Sequence, residues 1–233
     1  MKLLVLGGTA EARQVAEATG AVLSLKGATQ KPLTTPHRVG GFGGVSGLVS
    51  YLQAEGFTAI IDATHPFAAQ MSRHAHVASA QCGLPLLRLA RPPWPEQPAW
   101  QMVKNLSAAA AALPQGARAF LTVGSQSLGP FLLRDDVWFL SRSIEPAAAR
   151  PSHGTAILQR PPFSLQAELA LMTTHNITHL VSKNAGGKAT SAKHTAAAAL
   201  GVQVIMVKTP RLPAALTVET VAEAVKWVEN LGE

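Results

Sequence analysis

Lys2-Leu3-Leu4-Val5-Leu6-Gly7-Gly8-Thr9-Ala10-Glu11-Ala12-Arg13 is the stretch on which the fold turns. Leu3 to Leu6 is an apolar run with no polar face to spare, as in a strand buried on both sides. Two glycines follow at once, then Thr9, which can cap a helix, then good helix formers. A strand, a tight glycine turn and a helix N-terminus make a phosphate cradle. The amides of the first helical turn lack intrahelical acceptors, and the helix dipole favours an anion there. Of the G-x-G-x-x-G dinucleotide fingerprint the chain offers only Gly7-Gly8, with Ala10 and Ala12 where small residues let the helix approach the sheet. Such a turn also serves as plain connection, but its place at the start of an α/β pattern favours binding.

The second strand, Ala21 to Leu25, leads into Lys26-Gly27-Ala28-Thr29. An NAD-binding site would set an Asp or Glu here, roughly 20 residues beyond the glycines, against the ribose 2′-hydroxyl. No acid lies between Glu17 and Glu55. Ser24, Lys26 and Thr29 instead supply a cation and hydroxyls, which attract a 2′-phosphate that a carboxylate would repel. A dinucleotide bound here is therefore NADP(H).

With 233 residues the chain can bury a substantial core in one large or two small domains. Its 47% hydrophobic and 14% charged residues describe an ordinary globular protein. The single cysteine, Cys82, excludes internal disulfides and cysteine-based metal sites. No apolar run approaches the length of a membrane span and no signal peptide is visible, so the expectation is a cytoplasmic protein. The formal charge of +7 needs an anionic partner. Basic residues are scattered and aromatics are only 5%, which argues against nucleic acid and for a small polyanion held by converging Arg and Lys.

Farther along, Pro36-His37-Arg38 precedes Val39-Gly40-Gly41-Phe42-Gly43-Gly44, where glycines such as Gly43 and Gly44 let backbone approach a ligand closely. A helix is expected over 45–55. The strand Phe57 to Asp62 ends in Ala63-Thr64-His65-Pro66-Phe67-Ala68, and a helix follows from Phe67 to about Cys82. In an open parallel sheet ligands lie beyond the carboxyl ends of strands, so the Ala63-Thr64-His65 turn should face the first glycine turn. His65 is open to two readings, a turn residue satisfied by local backbone or a proton-handling group. His74 and His76 sit two apart on a helix, off any common face, and no metal site is expected. Arg91-Pro92-Pro93-Trp94-Pro95 reads as a stiff linker, placing one domain over 1–94 and a second over 95–214. A final helix carries Val218, Val221, Val225 and Val228 as a core stripe, and 215–233 can return to pack on the first domain.

The α/β rhythm restarts after the linker, with apolar strands that end in polar or basic turns containing Ser125, Arg142 and Arg160. The strand Thr178 to Val181 ends in Ser182-Lys183-Asn184-Ala185-Gly186-Gly187-Lys188-Ala189-Thr190, with Lys193 beyond. Ser, Lys, Asn, two glycines, Lys and Thr at a strand-to-helix turn suit a carboxylate or phosphate, bound by amides and point charges. The spacing is not that of a Walker A loop. A short-chain dehydrogenase is excluded, because the only tyrosine, Tyr51, is followed four residues on by Glu55 rather than lysine.

Leu6-Gly-Gly-Thr-Ala-Glu-Ala-Arg13, Arg38-Val-Gly-Gly-Phe-Gly-Gly-Val45, Asp62-Ala-Thr-His-Pro-Phe-Ala68, Arg88 to Trp94, Pro162-Phe163 and Ser182-Lys-Asn-Ala-Gly-Gly187 together resemble the motif set of the precorrin-6A (or cobalt-precorrin-6A) reductase family, over nearly the whole chain. The chain departs from that pattern at Ala28 and Ser125, where many members have arginine, and at Ala185, where many have serine. The resemblance implies two Rossmann-like parallel-sheet domains with a cleft between them. It also implies NADPH-dependent reduction of one macrocycle double bond of precorrin-6A, giving precorrin-6B, in cobalamin biosynthesis. The cofactor set would be Gly7, Gly8, Thr9, Glu11, Ala12, Ser24, Lys26, Gly27, Thr29, Gly43, Gly44, Ala63, Thr64 and His65. The polycarboxylate tetrapyrrole would meet Arg142, Arg160, Ser182, Lys183, Asn184, Gly186, Gly187, Thr190 and Lys193. His65 and Lys183 are the candidate proton donors, beside solvent. The competing class is a non-catalytic NADPH-binding sensor, which would not need the second basic segment. Oligomeric state, cobalt content of the substrate and the proton donor's identity stay open.

Overall fold

A computed structural model describes residues 1–27 and 34–232 as two compact α/β units. The first comprises Met1–Pro92 with Pro210–Glu233, the second Pro93–Thr209. Among the described residues no helix is long and apolar enough to cross a membrane.

The first unit alternates β1 (Leu3–Leu6), α1 (Ala10–Thr19), β2 (Val22–Leu25), β3 (His37–Val39), α2 (Val45–Ala54), β4 (Ala59–Asp62), α3 (Ala69–Cys82) and β5 (Leu86–Leu89). All strands are parallel, in the order β3-β2-β1-β4-β5 with a sixth strand beyond β5. This is the doubly wound dinucleotide-binding order, and its switch point lies between β1 and β4. All four residues of β1 are buried because the sheet is covered on both faces. Leu3 and Val5 join α1 residues Val15 and Ala16 in one core layer, while Leu4 and Leu6 join Leu48, Leu52 and Ala75 in the other. The helix α3 begins two residues later than the sequence pattern suggests, because the Ala68 amide first closes a turn on the His65 carbonyl at 2.7 Å.

The second unit runs β6 (Trp100–Val103), α4 (Leu106–Ala112), β7 (Arg118–Leu121), β8 (Trp138–Ser143), β9 (Gly154–Leu158), α5 (Leu165–Thr174), β10 (His179–Lys183), α6 (Ala192–Leu200) and β11 (Gln203–Val207). Its six strands are again all parallel, in the order β9-β8-β7-β10-β11-β6. The chain then returns to the first unit as β12 (Leu216–Val218), which pairs with β5, and α7 (Val221–Asn230). Pro93 and Trp94 belong to the second unit because the Asn184 side chain holds the Trp94 backbone from both sides. The Trp94 amide donates to Oδ1 at 2.8 Å, and Nδ2 donates to the Trp94 carbonyl at 3.0 Å.

Two strands carry no sequence signal. β3 is a half-exposed edge of three residues, His37–Val39, and shows no apolar alternation. In β12, Val218 falls in step with the valines of the next helix and mimics its first turn. The helix instead starts at Val221, where Thr220 and Glu223 close a capping box. Val218, Val221 and Trp227 still pack on the same core layer as Ala224 and Val228.

Candidate functional site

Strand register lines up a polar row across the first sheet. Arg38 pairs with Ser24, Ser24 with Leu6, Leu6 with Asp62, and Asp62 with Arg88. Beyond this row lie the turns that sequence patterning singles out. Gly7 follows β1 so tightly that its amide donates to the Ser24 carbonyl at 2.8 Å. A Cβ there would sit 2.8 Å from Leu23 Cδ1 and 2.9 Å from Leu25 Cδ2, so a larger residue requires both leucines to shift. Gly8 has φ +136°, a conformation that glycine alone adopts readily, and a Cβ built on it would lie 3.7 Å from the His65 amide nitrogen.

Thr9 joins the two turns. Its Oγ1 accepts the Ala12 amide at 3.1 Å, capping α1, and donates to the Ala63 carbonyl at 2.9 Å. Ala12 itself is fully buried, and Glu11 is ion-paired with Arg91 at 3.3 Å. Asp62 organises the second turn from below. Its Oδ1 accepts the Thr64 hydroxyl at 2.8 Å and the Thr64 amide at 3.3 Å, while Oδ2 faces Arg88 Nε at 3.4 Å. Arg88 also donates to the Pro213 carbonyl at 2.8 Å, tying the returning segment to the row. His65 Nδ1 accepts the Phe67 amide at 3.2 Å, so in the neutral ring the proton sits on Nε2.

At the end of β2, Lys26 and Gly27 are exposed, and Thr29 lies outside the described residues. Ser24 is met by Arg38, which the sequence pattern left in an irregular proline- and glycine-rich segment. Its Nη1 donates to Ser24 Oγ at 3.0 Å. Only the parallel pairing of β3 with β2 brings the two together. Gly43 and Gly44, with φ +77° and +96°, carry the chain from this corner into the uncapped N-terminus of α2. Gly47, one turn on, packs so closely on the Phe42 carbonyl that a Cβ would lie 1.6 Å from its oxygen.

In the second unit the candidate residues divide into those at the sheet edge and those turned inward. Lys183 ends β10 and donates to Ser127 Oγ at 2.6 Å, in the turn after β7. Burial lowers its pKa to about 8. Gly186 and Gly187, both with positive φ, lead into the short turn Lys188–Thr190. Arg160 is half exposed and ion-paired with Glu145. Ser182, by contrast, is fully buried against His194 Nε2 at 3.2 Å. Burial, and then the neighbouring Lys193 charge, push His194 down to about 3, so it is a neutral ring wedged against Trp94 and Trp100. Lys193 is 5% exposed, with its ammonium 5.2 Å from the Trp94 ring centre. Arg142 turns away from the sheet edge. It ion-pairs with Glu168 at 2.7 Å and lies over the Phe163 ring at 3.7 Å.

The family model for the precorrin-6x reductases CbiJ/CobK matches residues 2–229. The precorrin-6A reductase of Rhodococcus erythropolis is 45% identical over 243 residues, covering 99% of this chain and 98% of its own. That of Rhodobacter capsulatus is 42% identical over 243 residues, covering 99% and 97%. A solved structure of a CobK precorrin-6A reductase superposes with a TM-score of 0.90 at 42% identity, covering 100% of this chain and 97% of that one. The two parallel-sheet α/β units are thus those of a known oxidoreductase group, and the chain belongs to the precorrin-6x reductase family.

Proposed function

We propose that the protein reduces one double bond of precorrin-6A, with NADPH as hydride source, in cobalamin biosynthesis. The observation that carries this reading is the switch-point pair of turns in the first unit, Gly7–Thr9 and Ala63–His65, joined by the Thr9–Ala63 hydrogen bond. The residues fit a dinucleotide. A ten-residue helix opens behind two glycines, one of them packed so tightly that a Cβ would displace two leucine side chains. The neighbouring corner carries Ser24, Lys26 and Arg38 and no carboxylate among the described residues. Gly7, Gly8, Thr9 and Ala12 would shape the pyrophosphate site, Gly43 and Gly44 the adenosine side, and Ala63, Thr64 and His65 the nicotinamide side.

When bound, the cofactor supplies the hydride. The protein positions, excludes water and provides a proton. In the second unit we assign Lys183, Arg160, Gly186, Gly187 and Thr190 to the substrate's carboxylates. Ser182, Asn184, Lys193 and Arg142 support that edge from inside, each through the contact given above. The lowered pKa of Lys183 suits an ammonium that delivers a proton to the carbon next to the one receiving hydride. The sensor alternative finds no support among the relatives, which are named as reductases. The test is anaerobic incubation with precorrin-6A and NADPH. Turnover should oxidise the nucleotide and add two hydrogens to the macrocycle. Nucleotide binding without turnover would refute the reading.

A further inference from the structure

We infer that Arg38 reads the 2′-phosphate of the nucleotide and so sets the choice between NADPH and NADH. The inference rests on the NADPH reading above and names the residue that enforces it. Four observations converge. The first is position: Arg38 pairs in register with Ser24 near the carboxyl end of β2, the place where a doubly wound site meets the adenosine ribose.

The second is preorganisation. Nη1 donates to Ser24 Oγ at 3.0 Å and to the Gly40 carbonyl at 2.9 Å, and Nη2 donates to the Gly41 carbonyl at 3.0 Å. These bonds use three of the five N–H groups of a guanidinium and fix its plane. The third is the platform. The guanidinium lies 4.0 Å from the centre of the Phe42 ring and 5.0 Å from that of Tyr51. These rings hold the cation by its face and leave its charge in place.

The fourth is the charge itself. Among the described residues no carboxylate lies within ion-pair distance of Arg38, and the sequence has no acid between Glu17 and Glu55. A flat, oriented, half-buried guanidinium beside a hydroxyl matches a phosphate monoester, which takes charge-assisted bonds from such a fork. Lys26 is exposed and brings a point charge to the same corner, where it adds attraction without geometry. A clamp that merely closed the Gly40–Gly41 loop would matter equally for either nucleotide. A phosphate reader matters only for the one that carries the group.

The test is calorimetric titration of wild type, Arg38→Gln and Arg38→Lys with four probes: NADPH, NADH, 2′,5′-ADP and 5′-AMP. Wild type should prefer the 2′-phosphorylated member of each pair. In Arg38→Gln that preference should shrink about tenfold to hundredfold, the range for a lost charged hydrogen bond, while NADH affinity stays within about twofold. Arg38→Lys, which keeps charge and loses the fork, should fall between, and it serves if the glutamine variant does not fold. Parallel weakening of both nucleotides, or a preference lost in Lys26→Met and kept in Arg38→Gln, would overturn the inference and leave the NADPH reading standing. A wild type that binds none of the four probes would overturn both.

Discussion

Replacing Arg142 by methionine removes half of an ion pair that the second unit keeps almost dry. The side chains of Arg142 and Glu168 are 6% and 0% exposed, and Glu168 Oε2 is already buried without a partner. Deleting the cation leaves the carboxylate alone in a low-dielectric core, and breaking a buried pair in this way costs about 3–5 kcal/mol. The variant also gives up the guanidinium faces on Phe163 at 3.7 Å and Phe120 at 4.8 Å, a loss that the methionine thioether largely offsets by its own contact with the rings. Measured against a total stability of about 5–15 kcal/mol, the net loss is large. At about 2–4 °C per kcal/mol for a chain of this size, the midpoint should fall by about 6–20 °C. Thermal unfolding followed by tryptophan fluorescence measures the shift, and urea unfolding measures the free energy. The double variant Arg142→Met/Glu168→Leu removes the stranded charge and should recover most of the loss. A single variant within about 1 kcal/mol of wild type, or a double variant no more stable than the single, would refute the structural role and return Arg142 to the substrate.

Further outcomes are expected at Lys183, Gly7 and Thr9. Because burial lowers the Lys183 pKa from 10.5 to about 8, the folded protein holds that proton less tightly than the unfolded chain does. Stability should therefore rise as pH climbs from about 8 toward about 10.5, a slope that Lys183→Met abolishes. Turnover should fall over the start of the same window as the ammonium is lost, in a pH–rate profile whose alkaline limb disappears in the variant. Gly7→Ala forces a Cβ to within 3.0 Å of the Ser24 carbonyl and against two leucines, and should cost about 1–3 kcal/mol together with nucleotide affinity, read by thermal unfolding and titration. Thr9→Val loses both the α1 cap and the bond to Ala63 and should cost about 0.5–2 kcal/mol, whereas Thr9→Ser should behave as wild type in the same assays.

The architecture was legible because it rests on local patterns. Leu3–Leu6, Ala59–Asp62 and Gln203–Val207 are largely apolar strands bounded by glycine or polar turns, and the helices between the strands carry caps or stops of their own. Even the turn at Ala63–His65 follows from strand periodicity, because every parallel strand must end on the same edge. The contacts that were not legible are those made across the sheet. Arg38 meets Ser24 only because two parallel strands share a register, and that pairing carries no signal in either strand alone. Arg142 and Glu168 sit 26 positions apart, and alternation says which face Arg142 occupies but not what waits there. Asn184 shows the same limit from the other side. Its type and its place in a glycine-rich turn suggest a ligand group, yet both ends of its amide are held by the Trp94 backbone.

The first sheet takes its sixth strand from beyond the second chain crossing. β12 and α7 complete the first unit only after the whole second unit has passed, and β6 opens the second unit directly after the first crossing. Emergence from the ribosome and completion therefore run in opposite orders. The nucleotide-type unit begins first, yet it waits with β5 unpaired on one side, and with the layer around Val15 and Ala16 lacking Ala224 and Val228, until the last helix is made. The second unit is a continuous segment and can close earlier. A nascent chain arrested just before Pro210 should thus present a finished second unit beside an open first one, and a nonsense codon in the last helix should strip the cofactor unit of its cover while leaving the other unit's strands all in place.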